Sequence, residues 1–188
     1  MQIQIDSREH KSERERIERQ FDKLGVEHFC SKLYVGDYML LDNPRLCIDR
    51  KKDLQELCGN VCQQHERFRA ELIRAQKAGI KLVILCEHGP DIQDLTDVYF
   101  WDNPRRVEWE RKLRLEHWEY HTLSFEGMID HLLDDGVPRS ELMPPISGKQ
   151  LYKSLETIHQ NYNVDIFFCE KKDTGKTIVD ILGGAYEG

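Results

Sequence analysis

The sequence predicts an α/β chain, with an α+β arrangement as the alternative, in which helices flank a central mixed sheet. Strand-like and helix-like segments follow one another in the order β-α-β-β-β-α-α-β over the first half of the chain. The run "IKLVILCE" is continuously apolar, which is typical of a buried parallel strand. The 188 residues are 39% hydrophobic and 32% charged, a balance that suits one globular domain with its own core.

The first third of the chain predicts a strand, a helix and a hairpin. "QIQID" alternates as a strand that ends at Asp6, and "KSERERIERQFDKLG" has helical spacing and a terminal glycine. "VEHFCSKLYVGDYMLLD" and "RLCIDRK" are rich in strand-forming residues. They are separated by Asp42-Asn43-Pro44, which predicts a turn between two paired strands.

Two helices should follow this hairpin before the buried strand. Asp53 can cap a short helix, "LQELCGNV", and "QHERFRAELIRAQKAG" is amphipathic. Arg67 and Arg74 fall near one side of the second helix, where they could follow a phosphate backbone. A solvated helix face, with Glu66 and Glu71 as ion-pair partners, is the alternative.

The second half of the chain predicts a mostly helical insertion at residues 90–146 within a single domain spanning 1–188. This segment contains all three tryptophans, which either form a small helical core or stack on unpaired bases. After it come a helix, "KQLYKSLETIHQNY", a strand, "VDIFFCE", and a final helix, "DTGKTIVDILGG".

Charged side chains concentrate around the predicted hairpin. Asp49 and Lys51 lie two residues apart, so they share one face of the second strand. Strand pairing would bring Asp37 close to Asp49, and Asp6 could approach the same edge. Carboxylates beside one lysine suit a Mg²⁺ or Mn²⁺ site that hydrolyses phosphodiesters, because hard cations prefer oxygen ligands. A solvated strand end with ordinary ion pairs is the alternative.

Five ordered segments resemble the XPF/ERCC-type nuclease domain, a family with a restriction-endonuclease-like fold that cuts branched DNA. They are "IDSRE", "GDY", "IDRKKDLQEL", "HERFRAELIRA" and "GIKLVILCE", and "GKQLYKSLETIHQNYNVDIFFCEKKDTGKTIVDIL" is similar to the family's closing helix-strand-helix. The resemblance covers residues 1–89 and 147–185.

The resemblance assigns roles to individual side chains. It implies that Asp37, Asp49, Asp6 and Glu9 are metal ligands, and that Asp37, Asp49, Asp6 and Lys51 form the catalytic set. It also implies that Arg8 and Arg50 contact DNA, in addition to Arg67 and Arg74. One departure is that Asp49 occupies the position of the family's glutamate. The sequence also ends at Gly188, so we expect a form without the tandem helix-hairpin-helix module of many relatives.

The resemblance further implies forked, flapped or branched DNA as substrate and a homodimer through the C-terminal helices. A catalytically silent DNA-binding scaffold and a sequence-specific restriction endonuclease are the alternatives. The formal net charge of −7 argues against nonspecific coating of nucleic acid but leaves room for a local basic patch. Neither a secretory signal nor a membrane-spanning run is present in the sequence, so we expect a cytosolic protein, or a nuclear one in a eukaryote.

Overall fold

A six-stranded mixed sheet forms the centre of the protein in a computed structural model that describes residues 1–184. The strand order is β2-β1-β3-β4-β5-β6. The strands are β1 (Gln2–Asp6), β2 (Glu27–Ser31), β3 (Tyr38–Leu40), β4 (Asn43–Lys51), β5 (Lys81–Glu87) and β6 (Asp165–Cys169). Strand β3 runs antiparallel to both of its neighbours, and every other pair is parallel.

Helices cover both faces of this sheet, as the sequence predicts. They are α1 (Lys11–Leu24), α2 (Leu54–Cys62), α3 (His65–Lys77), α4 (Pro104–Glu116), α5 (Phe125–Asp134), α6 (Gly148–Tyr162) and α7 (Thr174–Leu182). Helices α1 and α7 pack together on one face, and α2, α3 and α6 pack on the other. None of these helices, within the described part of the chain, has both the length and the apolarity that crossing a membrane requires.

Each face of the sheet has its own apolar core, and β4 contributes alternate residues to both. Ile48 packs with Ile17 and Phe21 of α1. Cys47 instead joins the cluster that contains Phe68 of α3. Because side chains alternate along a strand, Asp49 and Lys51 continue the Cys47 face and Arg50 continues the Ile48 face.

The segment between β5 and α6 is mainly helical, with α4, α5 and two short 3-10 helices. Its own small cluster contains Leu113, Met128 and Leu132, with Trp109 packed against them. Trp101 belongs to the main core instead, and Trp118 is exposed and stacks on His121. Two tryptophans therefore have core roles, while the boundaries of the insertion at residues 90–146 stay a prediction.

Candidate active site

A cleft of about 800 Å³ opens at the edge of the sheet, between the hairpin, the start of α1 and helix α3. All nine residues predicted to bind metal, act in catalysis or contact DNA line this cleft. They include Asp37, Asp49, Lys51, Arg8, Arg67 and Arg74.

Backbone geometry fixes Asp37 beside β4. Gly36 has a φ of +68°, and a Cβ at this position would lie 2.9 Å from the carbonyl oxygen of Ile48, so only glycine fits without strain. The amide of Asp37 donates to that same Ile48 oxygen at 2.7 Å. The amide of Arg50 then donates to Oδ2 of Asp37, also at 2.7 Å, and so orients the carboxylate.

Asp49 and Lys51 form a buried pair on the α3 side of β4. Lys51 Nζ lies 2.9 Å from Oδ1 and 2.7 Å from Oδ2 of Asp49. Only the contact to Oδ1 has hydrogen-bond geometry, so Oδ2 is buried without a hydrogen-bond donor. The ring of Phe68 lies 5.5 Å from the ammonium and closes this side of the cleft.

The surroundings of Asp37 in this cluster disfavour ionisation of its carboxyl group. Burial raises the pKa of Asp37 well above its usual range, and the charges of Asp49 and Glu9 add to that rise, while Lys51 lowers the pKa in part. Burial also favours the neutral amine of Lys51, but Asp49 outweighs it and raises the pKa of Lys51. Lys51 is therefore a fixed positive charge, and Asp37 is a carboxyl group that lacks a cation.

Asp6 is neutralised by a neighbouring arginine. Arg8 Nε lies 3.1 Å and 3.0 Å from the two carboxylate oxygens of Asp6, and the Arg8 amide donates to Oδ1 at 2.9 Å. Burial opposes the charge of Asp6, but these bonds outweigh it and lower the pKa of Asp6. Asp6 thus lies at the cleft with Arg8 as its partner, and its role as a metal ligand stays a prediction.

Arg50 points to the opposite face of the sheet from Asp49 and Lys51. Its guanidinium is only 5% exposed and forms ion pairs with Glu9, Glu13 and Glu87, the last at 3.3 Å. The guanidinium of Arg50 is thus held among carboxylates, and the assignment of Arg50 as a DNA contact stays a prediction. Glu9 is held by Arg50 yet lies near enough to Asp37 to raise its pKa, so its role as a metal ligand also stays a prediction.

The arginines predicted on α3 lie along the wall of the cleft. Arg67 is exposed, and Arg74 is about half-exposed. The nearest carboxylate to Arg74 is that of Glu71, at 3.9 Å, and Nε of Arg74 has no hydrogen-bond partner among the described residues. Both guanidinium groups are thus placed to meet an anion that enters the cleft.

Two acidic side chains have roles at the site that the sequence did not predict. Glu87 is fully buried at the end of β5, where it pairs with Arg16 as well as Arg50. Glu71 accepts a hydrogen bond from the amide of Gly36 at 3.2 Å and so ties α3 to the loop that carries Asp37. The sequence contained a signal for Glu87, because a charged residue directly continues the buried run "VILC".

Asp37 and Asp49 are the carboxylates best placed to hold a divalent cation. Within residues 1–184, no three side chains of the His, Cys, Asp and Glu types converge in a metal-binding arrangement. A pair of carboxylates with one oxygen free of donors still fits Mg²⁺, which is commonly held by one or two carboxylates together with water and phosphate.

A family model described as the ERCC4 domain matches residues 5–181 of the chain. The chain belongs to the ERCC4 domain family. This match confirms the predicted family, and the mixed sheet with flanking helices confirms the predicted fold class. A comparison with curated proteins finds no match.

Two solved structures share this ERCC4 fold over nearly the whole chain. XPF from Aeropyrum pernix has a TM-score of 0.59 and 16% identity, over 98% of this chain and 65% of that one. XPF from Aeropyrum pernix in complex with DNA has a TM-score of 0.57 and 16% identity, over 98% of this chain and 64% of that one. The chain therefore spans about two thirds of the length of these XPF chains.

Proposed function

We propose that this chain is a metal-dependent DNA endonuclease that hydrolyses phosphodiester bonds in its cleft. The observation that carries the proposal is the convergence of Asp37, Asp49 and Lys51 in a cleft rimmed by arginines. Membership of the ERCC4 domain family and the XPF–DNA complex of the same fold support DNA as the substrate.

Asp37, Asp49 and Lys51 would have different roles in phosphodiester hydrolysis. Asp37 and Asp49 would hold Mg²⁺ or Mn²⁺, which when bound polarises a phosphate and lowers the pKa of water. Lys51, kept positive by Asp49, would offset the negative charge that develops on the phosphate oxygens. The backbone amide of Arg50 keeps the Asp37 carboxylate in place throughout.

The rim of the cleft would bind the DNA backbone. Arg8, Arg67 and Arg74 supply guanidinium groups that suit phosphate, within a chain whose net charge is −7. Attraction to DNA is therefore local to this side of the molecule. Among DNA structures, we propose forks, flaps and other branched forms, in keeping with the sequence resemblance.

A cleavage assay tests the proposal. Labelled fork, flap and plain duplex DNA of one sequence are incubated with Mg²⁺ and with wild type, Asp37→Asn or Lys51→Met. We expect cuts near the junction that disappear in EDTA. We expect each variant to cut at least about 100-fold more slowly, because removal of one preorganised electrostatic group typically costs about 100- to 1,000-fold.

The other outcomes of this assay separate the rival functions. Absence of cutting by wild type on every substrate, with binding retained, would favour a silent scaffold. Defined cuts in plain duplex would favour a restriction endonuclease, in which residues 90–143 read the sequence. Arg105→Ala is the control variant, since Arg105 lies on α4 away from the cleft lining and should cut like wild type.

The homodimer through the C-terminal helices stays a prediction. Among residues 1–184, none of the large hydrophobic side chains that are exposed lies on α6 or α7. A stable dimer interface normally has an apolar centre. Light scattering of the purified chain gives its molar mass and so tests whether the dimer forms. A monomer mass at micromolar concentration would contradict the prediction.

A further inference from the structure

The loop that carries Asp37 also presents an aromatic ring, that of Tyr34, beside Arg74 of the cleft wall. Tyr34 is 64% exposed, whereas Leu33 and Val35 on either side of it are buried at 4% and 0%. The backbone of Tyr34 is thus anchored on both sides while its ring extends outwards. An isolated exposed aromatic side chain is ordinary, but a rigidly presented one beside a candidate active site is not.

Three further bonds hold this loop still. The carbonyl oxygen of Leu33 accepts from the Arg8 guanidinium at 3.1 Å, and the Gly36 amide donates to Glu71 at 3.2 Å. The amide of Asp37 is bonded to β4. The backbone of Tyr34 is therefore held in place relative to Asp37, three residues further along the chain.

Tyr34 is also paired with a cation that is suited to phosphate. The guanidinium of Arg74 lies over the ring at 5.8 Å from its centre, and Arg74 lines the cleft. A phosphate bound by Arg74 would place the attached nucleotide beside Tyr34, with the exposed part of the ring open to a base.

We propose that Tyr34 binds DNA by stacking on an unpaired nucleobase next to the phosphate held at the cleft. This rests on the proposed function and adds a specificity element to it. A base within a duplex is already stacked on its neighbours, so a fixed ring at this position favours DNA with an unpaired nucleotide. Tyr34 would thus help to select branched over fully paired DNA without reading its sequence.

Equilibrium binding in EDTA tests the proposal without requiring hydrolysis. The anisotropy of labelled forked DNA is measured with wild type, Tyr34→Ala and Tyr34→Phe. We expect Tyr34→Ala to weaken binding about 10-fold, the typical effect of losing one aromatic stack, and Tyr34→Phe to bind like wild type. Phe100→Ala is the matched control, because Phe100 is an 80% exposed aromatic residue whose ring lies against Tyr99 and not against a cleft arginine.

Forks with a single abasic site, moved one position at a time across the junction, identify the stacked base. At one position the missing base should weaken wild-type binding as much as Tyr34→Ala does, and should leave the binding of Tyr34→Ala unchanged. Equal abasic penalties for both proteins at every position, or unchanged binding by Tyr34→Ala, would overturn the proposal. Binding that depends on Tyr34 without cleavage in Mg²⁺ would instead overturn only the nuclease function.

Discussion

The two faces of strand β4 carry charges that differ in how completely they are paired. On the α1 face, the Arg50 guanidinium lies among three carboxylates, and Glu87 is shared between Arg50 and Arg16. On the α3 face, Lys51 is the ammonium beside Asp49 and Asp37. Asp37 accepts one backbone hydrogen bond and forms no ion pair with any of residues 1–184, whereas Asp49 is paired with Lys51.

This difference indicates that the α1 face carries a structural ion network and that the α3 face carries the candidate active site. Buried charges that have partners hold elements together, and removing one partner is costly. A partly buried carboxylate without an ion-pair partner, such as Asp37, is energetically unfavourable when ionised unless a cation joins it. The ion pairs on the α1 face of β4 therefore stabilise the fold. On the α3 face, a bound cation would neutralise a carboxylate that has no ion-pair partner.

The largest expected effect is the loss of activity when a carboxylate on the α3 face becomes neutral. Asp49→Asn keeps the side-chain shape and should slow cleavage more than about 100-fold, because even changes to groups behind metal ligands cost about 10- to 100-fold. Asp49→Glu keeps the charge and restores the family residue, so it should retain most activity. Single-turnover cleavage of forked DNA checks both. Equal cleavage rates for Asp49→Asn and wild type would contradict the assignment of the active site to the α3 face.

The next largest effect is a loss of stability on the opposite face. Glu87→Gln leaves Arg16 and Arg50 with an uncharged partner, which should cost about 3 kcal/mol and lower the Tm by about 10 °C. Calorimetry measures the change. Glu108→Gln, which affects an exposed pair with Arg111 on α4, is the control and should leave the Tm unchanged. A Tm for Glu87→Gln equal to that of wild type would mean that the buried network is not structural.

Asp37→Asn should have the opposite sign and raise the Tm in EDTA. The pKa of Asp37 is higher in the folded chain than in the unfolded one. Its contribution to stability is thus complete below the unfolded pKa of about 4 and is lost as the pH rises through the folded value. The Tm advantage of Asp37→Asn should therefore grow with pH over that window, and Mg²⁺ should reduce it. An advantage that shrinks as the pH rises would show that Asp37 is satisfied without a cation.

The smallest effect concerns the rim of the cleft. Arg67→Ala should weaken binding to every DNA substrate by a similar factor and reduce the slope of log affinity against log salt by about 1. Anisotropy titrations at several salt concentrations measure this slope. Arg111→Ala, on α4 away from the cleft lining, should leave the slope unchanged. An identical slope for Arg67→Ala and wild type would place Arg67 outside the DNA interface.

The fold was readable from the sequence because its elements carry local signals. Helix α1 ends at Gly25, which adopts the left-handed conformation, and Asp53 caps α2 by accepting a bond from the Glu56 amide at 2.7 Å. The alternation of β4 also predicted that Asp49 and Lys51 share a face. These features depend on neighbours in the chain or on the period of a strand.

The partners of the charged side chains were not readable in the same way. Arg50 pairs with Glu9 and Glu87, which are far from it in sequence, and the choice depends on how α1 and β5 meet β4. A motif places Arg50 beside Lys51 but does not say that a helix on the other face supplies its counter-ions. Asp6 was predicted as a metal ligand, but its ion pair with Arg8, two residues further along the chain, was not predicted.

The most direct test of the central claim is anomalous diffraction from crystals soaked in Mn²⁺. The claim is that Asp37 and Asp49 together hold one divalent cation beside Lys51. We expect an anomalous peak within coordination distance of both carboxylates, and we expect this peak to be lost in Asp37→Asn crystals. A peak held by other residues, or full Mn²⁺ occupancy in Asp37→Asn, would contradict it.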